Sequence, residues 1–340
     1  MNFCTLFNAA YLSRGLAMYR SLLDTGAKFH LYIYAFDDAC HEYFTKAAHE
    51  HITVISLHEF EDEKLLAVKE GRTATEYCWT CTPLIIRHCI KTFGLDSCTY
   101  IDADMYFYAD PEVLTAEAGN APVMITEHRY TKEYDHEVKS GRFCVQFMYF
   151  KNEPQGMEVL NWWCNACLDW CYNRLEDGKF GDQKYLDDWP VRFPFVHILE
   201  HLGGGVAPWN VQQYRFQHTN AIEGEELSTG KKFPLIFYHY HGVRFYENNV
   251  VDLSDYKKPG NTLELLYKPY IKKLLAAGAE INKVMSGIDS HGINGATSYP
   301  TAGFGLGVKY YLKDLRRALA LIAGRDTGRA LKNYPLHKIK

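Results

Sequence analysis

Asp102 and Asp104 stand one residue apart in Tyr100-Ile101-Asp102-Ala103-Asp104-Met105, directly after the apolar run Cys98 to Ile101, which reads as a strand. Ligands of open α/β sheets collect beyond the carboxyl ends of strands, so this spacing puts two carboxylates where a crevice forms. Paired oxygens of that kind suit a hard divalent cation. An Asp-x-Asp alone also occurs as two solvated loop charges. The strand before this one and the Asp110-Pro111 turn after it favour the metal site.

A second cluster, Phe237-Tyr238-His239-Tyr240-His241-Gly242-Val243-Arg244, ends another apolar run. Strand periodicity sends His239 and His241 to one face. One imidazole could complete a carboxylate-bound metal such as Mn²⁺, Gly242 permits close backbone approach, and Arg244 suits a phosphate. The plain alternative is a pair of surface histidines.

Phe180-Gly181-Asp182-Gln183 places an acid and an amide after a tight turn, where Asp182 also suits a helix N-cap. Gly203-Gly204-Gly205-Val206-Ala207-Pro208-Trp209-Asn210 could bring backbone against a ligand beside an aromatic wall. It has neither the strand–GxGxxG–helix setting of a dinucleotide fingerprint nor the Lys-Ser/Thr of a P-loop. Ten cysteines include Cys78 and Cys81, plus Cys164, Cys167 and Cys171 at helical spacing. Thiols that share a helical face with Leu160 read as small core hydrophobes, not as ligands of zinc or an iron–sulfur cluster.

The elements that must position these groups alternate. Strands are expected at Cys4–Phe7, Phe29–Phe36, 51–57, 98–101, 122–126, 144–150 and 235–241, with helices at 11–23, 39–48, 83–93 and 156–172 between them. Such alternation implies a mostly parallel sheet with helices on both faces. The pattern runs to about residue 256. Asn261 and Glu264 then resemble a capping box opening a helix through Met285. A Gly-rich connection at 286–307 reads as flexible, and Val308, Tyr311, Leu312, Leu315, Leu319 and Ile322 define one face of a basic amphipathic helix.

With 340 residues, 47% of them hydrophobic and 23% charged, the chain is an ordinary folded protein of about two domains. The net charge of −4 offers no field for a polyanion, so nucleic acid is not the expected partner. Residues 301–340 carry nine Lys/Arg against two Asp, a local +7 that suits the surface of an anionic membrane. Nothing at Met1 to Phe7 looks like a signal peptide and no apolar run reaches 18 residues, so the expected place is the cytoplasm, with peripheral contact at the inner membrane face.

Taken in order, Thr5-Leu6-Phe7-Asn8-Ala9-Ala10-Tyr11, Asp37-Asp38, Tyr77-Cys78-Trp79-Thr80-Cys81-Thr82-Pro83, Tyr100 to Asp104, Phe180 to Gln183, Ala207 to Asn210 and Tyr238 to Gly242 resemble a GT-A glycosyltransferase of the nucleotide-diphospho-sugar transferase superfamily, similar to glycosyltransferase family 8 and its bacterial relatives. The resemblance covers about residues 1–250 and implies a Rossmann-like GT-A domain, 1–256, followed by a helical C-terminal extension, 257–340. It implies Mn²⁺ or Mg²⁺ on Asp102, Asp104 and His239, the last matching the His of a family His-x-x-Gly, with His241 as the fallback. It places Asn8, Ala9, Tyr11, Asp37, Asp38, Ala103, Gly242 and Arg244 around a nucleotide-sugar donor, UDP-sugar favoured, and Asp182 and Gln183 beside the transferred sugar. The acceptor it implies is a glycan or a lipid-linked glycan of bacterial surface polysaccharide or lipopolysaccharide. The family-8 Lys-Pro-Trp after the His-x-x-Gly is absent, which leaves Arg244 as the nearest cation, and the Arg usual in the helix before the Asp-x-Asp is not at the place expected for it.

Two rival readings share these residues. A sugar nucleotidyltransferase uses similar metal logic but opens with a Gly-rich loop carrying Arg and Lys, which Asn8-Ala9-Ala10-Tyr11 is not. A metal-free glycan-binding or scaffold protein on the same fold would not need Asp102, Asp104 and His239 intact.

Overall fold

The computed structural model describes residues 1–247 and 250–295 and the strand Leu336–Lys338. Strands β1 (Asn2–Phe7), β2 (His30–Ala35), β3 (Ile52–Ser56) and β4 (Ser97–Ile101) are joined through the helices Leu12–Asp24, Asp38–Ala47 and Ala74–Phe93. β1 pairs in parallel with both β2 and β4, and β2 with β3, which is what helical crossovers permit. A short β5 (Met105–Phe107) follows, then β6 (Val123–Glu127), β7 (Phe143–Lys151) and β8 (Val196–Ile198). The seven-stranded order is β3-β2-β1-β4-β7-β6-β8, with β7 antiparallel to its neighbours.

The strands alternate between two cores. Cys4 and Leu6 of β1 and Tyr32 and Tyr34 of β2 pack with Leu84, Ile85 and Ile86 on one face. Phe3 and Phe7, with Leu31 and Ile33, pack with Leu12, Leu16 and Tyr19 on the other. A strand buried on both faces needs no polar side, which explains why Phe29–Phe36 reads as a nearly unbroken apolar run.

Around this sheet, β9 (Tyr214–His218), β10 (Ile222–Glu226) and β11 (Lys232–Pro234) form an antiparallel set, and β12 (Phe237–His239) pairs antiparallel with β5. β13 (Arg244–Tyr246) pairs with β14 (Val250–Asp252), which pairs with Leu336–Lys338. The helix Lys268–Val284 lies along Leu12–Asp24 and sends Ala277 and Ile281 into the core that holds Phe3 and Phe7.

Two local expectations are corrected. The helix before β4 starts at Ala74, not at Pro83, because Thr73 and Glu76 form a capping box and Pro83 is carried inside the helix. Asn261 does not cap: its side-chain amide donates to the Phe216 carbonyl, and a π turn over Leu263–Tyr267 leads into the helix. Cys81, Cys164, Cys167 and Cys171 are fully buried, as core packing requires, and burial pushes the Cys164 thiol up to about 12. The amphipathic helix, and the connection from residue 296 onward, lie outside the described residues. Among the described residues no helix is long and apolar enough to cross a membrane.

Candidate active site

β4 ends at Ile101, and the chain turns through Asp102-Ala103-Asp104 before β5 begins. The Asp102 amide donates to the Gln146 carbonyl at 3.1 Å, and the Asp104 carbonyl accepts from the Tyr240 amide at 2.9 Å. The acidic turn is therefore stitched on one side to β7 and on the other to the end of β12. That second stitch brings the histidines in: His239 Nε2 lies 3.0 Å from Asp104 Oδ1 and 3.6 Å from Asp102 Oδ2. His241 joins them, so that ligand atoms of Asp104, His239 and His241 all lie within 4.8 Å of one another. Both histidines of the sequence pattern face the acids.

Three partners hold this corner. Tyr100 donates its hydroxyl to Asp102 Oδ1 at 2.8 Å. His239 Nδ1 is 2.7 Å from Gln146 Oε1, and since an amide oxygen only accepts, Nδ1 carries the proton and Nε2 faces the carboxylates. The Trp209 ring stands edge-on to His239 and His241, at 5.4 and 5.6 Å between centroids. The glycine run before Trp209 serves the backbone: a Cβ on Gly203 would sit 1.9 Å from the Pro234 carbonyl oxygen.

The charges sort by neighbourhood. Burial opposes ionisation of Asp104, but the charge and hydrogen bond of His239, helped by His241 and Arg14, outweigh it and bring the carboxyl to about 2. Burial likewise opposes a charged His239, and Asp104 outweighs it, holding the imidazole well above its ordinary value. Burial wins at Asp102, whose carboxyl is raised. It wins by more at Asp182, which is 5% exposed and is pushed up to about 8, first by burial and then by the charge of Asp102.

Asp182 does not cap a helix. The Thr82 side chain and the Gln183 amide stand beside its carboxyl and oppose part of the upward shift, while the Thr82 hydroxyl donates to the Cys78 carbonyl at 3.2 Å and the Asp182 carbonyl accepts from Trp163 Nε1 at 2.9 Å. Gln183 turns its own amide to the Ser140 carbonyl at 2.7 Å. On the other side of the acids, Asn8, Ala9 and Tyr11 form a turn after β1, with the Tyr11 ring 42% exposed. Asp37 fixes that turn: Oδ2 accepts from the Ala9 amide at 2.9 Å, while Oδ1 caps the next helix through the Cys40 amide at 2.8 Å. Asp38 is exposed in the first turn of that helix, Ala103 is buried, and Gly242 and Arg244 follow the histidines, with the Arg244 charge felt at both Tyr11 and His241.

No family model matches the chain. The uncharacterised protein YfnF of Bacillus subtilis (strain 168) is 30% identical over 257 residues, which cover 73% of this chain and 84% of YfnF. This chain belongs to the YfnF family. The uncharacterised YfnD of the same organism is 29% identical over 280 residues, covering 80% of this chain and 88% of its own. Among solved structures, the galactosyltransferase LgtC in complex with donor and acceptor sugar analogs superposes at a TM-score of 0.50 and 11% identity, over 81% of this chain and 96% of LgtC. The fold of this YfnF-family chain is thus GT-A, as the ordered motifs imply.

Two site residues escape a reading by motif: Arg14, whose charge acts on Asp104, and Gln146, which holds His239. Gln146 had a signal, being the one amide inside the apolar strand 143–150. A lone polar group in a buried strand wants a partner, and here the partner is His239.

Proposed function

We propose that this protein is a metal-dependent glycosyltransferase that takes a sugar from a nucleoside-diphosphate sugar, UDP-sugar favoured, and gives it to a glycan or lipid-linked acceptor of bacterial surface polysaccharide, working in the cytoplasm. The observation that carries this reading is the convergence of Asp102, Asp104, His239 and His241 beside the Asn8–Tyr11 turn, with the proton-holding Asp182 close to Asp102. The donor and acceptor sugar analogs bound by LgtC, on the same fold, support it.

The donor set fits Mn²⁺ or Mg²⁺. Carboxylate oxygens with one or two imidazoles make a mixed oxygen and nitrogen set, and Gln146 already fixes the His239 tautomer that turns Nε2 inward. When bound, the cation would neutralise the charge that develops on the departing nucleoside diphosphate. Asp102, Asp104 and His239 would hold it, with His241 able to join.

The chain's own groups do the rest. Asn8, Ala9 and Tyr11 take the nucleoside, with the exposed Tyr11 ring offering a face for stacking. Arg244 adds a cation at the diphosphate end. Asp182 sits at the sugar, where its protonated carboxyl orients the acceptor hydroxyl, or where, once ionised, it would stabilise positive charge at the anomeric carbon. The test is turnover of a nucleotide-sugar panel with and without Mn²⁺. Full activity in excess EDTA would remove the metal from the scheme, and pyrophosphate release from a nucleoside triphosphate and a sugar phosphate would show a nucleotidyltransferase.

A further inference from the structure

Arg14 lies in the first helix, among the buried Leu12, Leu16 and Met18, and its side chain is 3% exposed. It reaches three carbonyls from three separate segments. Nη1 donates to Ala10 at 3.3 Å and to His291 at 3.0 Å, and Nη2 donates to Val243 at 2.8 Å. Its guanidinium lies 4.5 Å from the Tyr11 ring centroid and 5.7 Å from that of Phe245. Among the described residues no carboxylate is in ion-pair contact with it, although its charge acts on Asp104. Burying a guanidinium without a contact partner is costly, so three carbonyl bonds at one point are a built feature.

The segment Ser290–Asn294 is seated at the same point. The Ser13 amide donates to the Ser290 carbonyl at 2.9 Å, and His291 Nδ1 is 2.8 Å from Ser13 Oγ. The His291 ring stacks on Phe245 at 4.4 Å, and the Asn294 amide donates to the Phe245 carbonyl at 2.9 Å. Gly292 has a φ of +62°, and a Cβ there would stand 3.0 Å from the Ala10 carbonyl oxygen. The C-terminal segment thus touches the turn that carries Ala9 and Tyr11.

We infer that Arg14 is a positioning residue of the donor site, a clamp that seats Ser290–Asn294 against the Asn8–Tyr11 turn so that this segment forms one wall of the nucleotide pocket. The inference rests on the donor reading given above. Arg14 backs one face of the Tyr11 ring and leaves the rest of the ring for the base, while the groups at the reacting bond are held by other partners. Loosening the clamp should therefore weaken donor binding by more than it slows the chemical step, which Arg14 reaches only through its charge on Asp104.

The experiment compares Arg14→Met, Arg14→Lys and Gly292→Val with wild type in two readouts. The first is donor KM against kcat, using the nucleotide sugar that wild type turns over. Arg14→Met should raise KM about tenfold with kcat within about threefold, and Arg14→Lys, which keeps the charge without the fork, should fall between. Gly292→Val leaves the guanidinium in place and should shift KM the same way. The second readout is hydrogen exchange at the Ser13 and Asn294 amides in ligand-free protein, which should speed up in Arg14→Met and Gly292→Val. A fall in kcat at unchanged KM, or unchanged exchange at both amides, overturns the clamp. If Arg14→Met does not fold, the other two variants carry the test. Wild type that binds no nucleoside diphosphate would sink the donor reading instead, a result distinct from the exchange pattern.

Discussion

Asp104 and Asp182 are both buried acids within reach of the Asp102 charge, yet the first is brought to about 2 and the second is pushed to about 8. Burial raises both. What separates them is company: Asp104 faces His239, His241 and Arg14, whereas the strongest charge acting on Asp182 is another carboxylate, Asp102. The site therefore has a charged end and a proton-holding end, and that contrast suits the proposed reaction, in which one end would hold a polyanionic donor and the other would meet a neutral sugar.

Removing the charged end should have the largest effect. Asp104→Ala takes away a carboxylate and leaves the His239 imidazole without its counter-charge, so turnover should fall by about a thousandfold or more. Retention of a tenth of the activity at saturating Mn²⁺ would show that the two ends are not specialised. Asp182→Asn comes next. It should lower kcat by about a hundredfold while the Kd for nucleoside diphosphate stays near wild type, because the role proposed for this group is at the sugar and not at the diphosphate. A large loss of nucleotide binding in that variant would merge the two ends into one.

The two ends also differ in how far they can be read from the chain alone. Asp102 and Asp104 are legible because they follow a strand directly, and their neighbours in sequence are their neighbours in space. His239 and His241 are legible for the same reason. The alternation of strand and helix reveals the sheet, since buried parallel strands announce themselves as unbroken apolar runs. The partners that tune the acids are not legible: Gln146 and Arg14 lie on two different elements, and only the pairing of β7 with β4 and of β12 with β5 brings Gln146 to His239. Asp182 looks like a helix cap by local rules, and its raised carboxyl depends on burial and on the charge of Asp102, which lies 80 residues earlier in the chain.

A third test sharpens the charged end from the side of its support. Gln146→Leu removes the acceptor for His239 Nδ1, freeing the ring to rotate and to change tautomer. Affinity for Mn²⁺ should fall about tenfold or more, with smaller change in fold stability. Wild type should also release protons as the cation binds near neutral pH, since Asp104 holds a proton on His239 that a metal must displace. Titration calorimetry in buffers of different ionisation enthalpy reads both effects, and a heat independent of buffer would show that His239 is not a ligand.

The last test belongs to the proton-holding end and is read on stability, without metal. A free Asp titrates near 4, while Asp182 in the fold holds its proton to about 8. Between these values the native state keeps a proton that the unfolded state has lost, so its stability falls as pH rises. Asp104 works in the opposite sense, but only below about 4, where its own proton returns. His239 adds a further loss above its ordinary titration range, in wild type and variant alike. The difference between Asp182→Asn and wild type therefore isolates one group. It should be small near pH 4 and grow in favour of the variant by about 1 kcal/mol per pH unit toward pH 7, seen as diverging melting temperatures in metal-free protein. Curves that stay parallel across that range would mean that Asp182 ionises freely, and the contrast with Asp104 would then rest on the histidines alone.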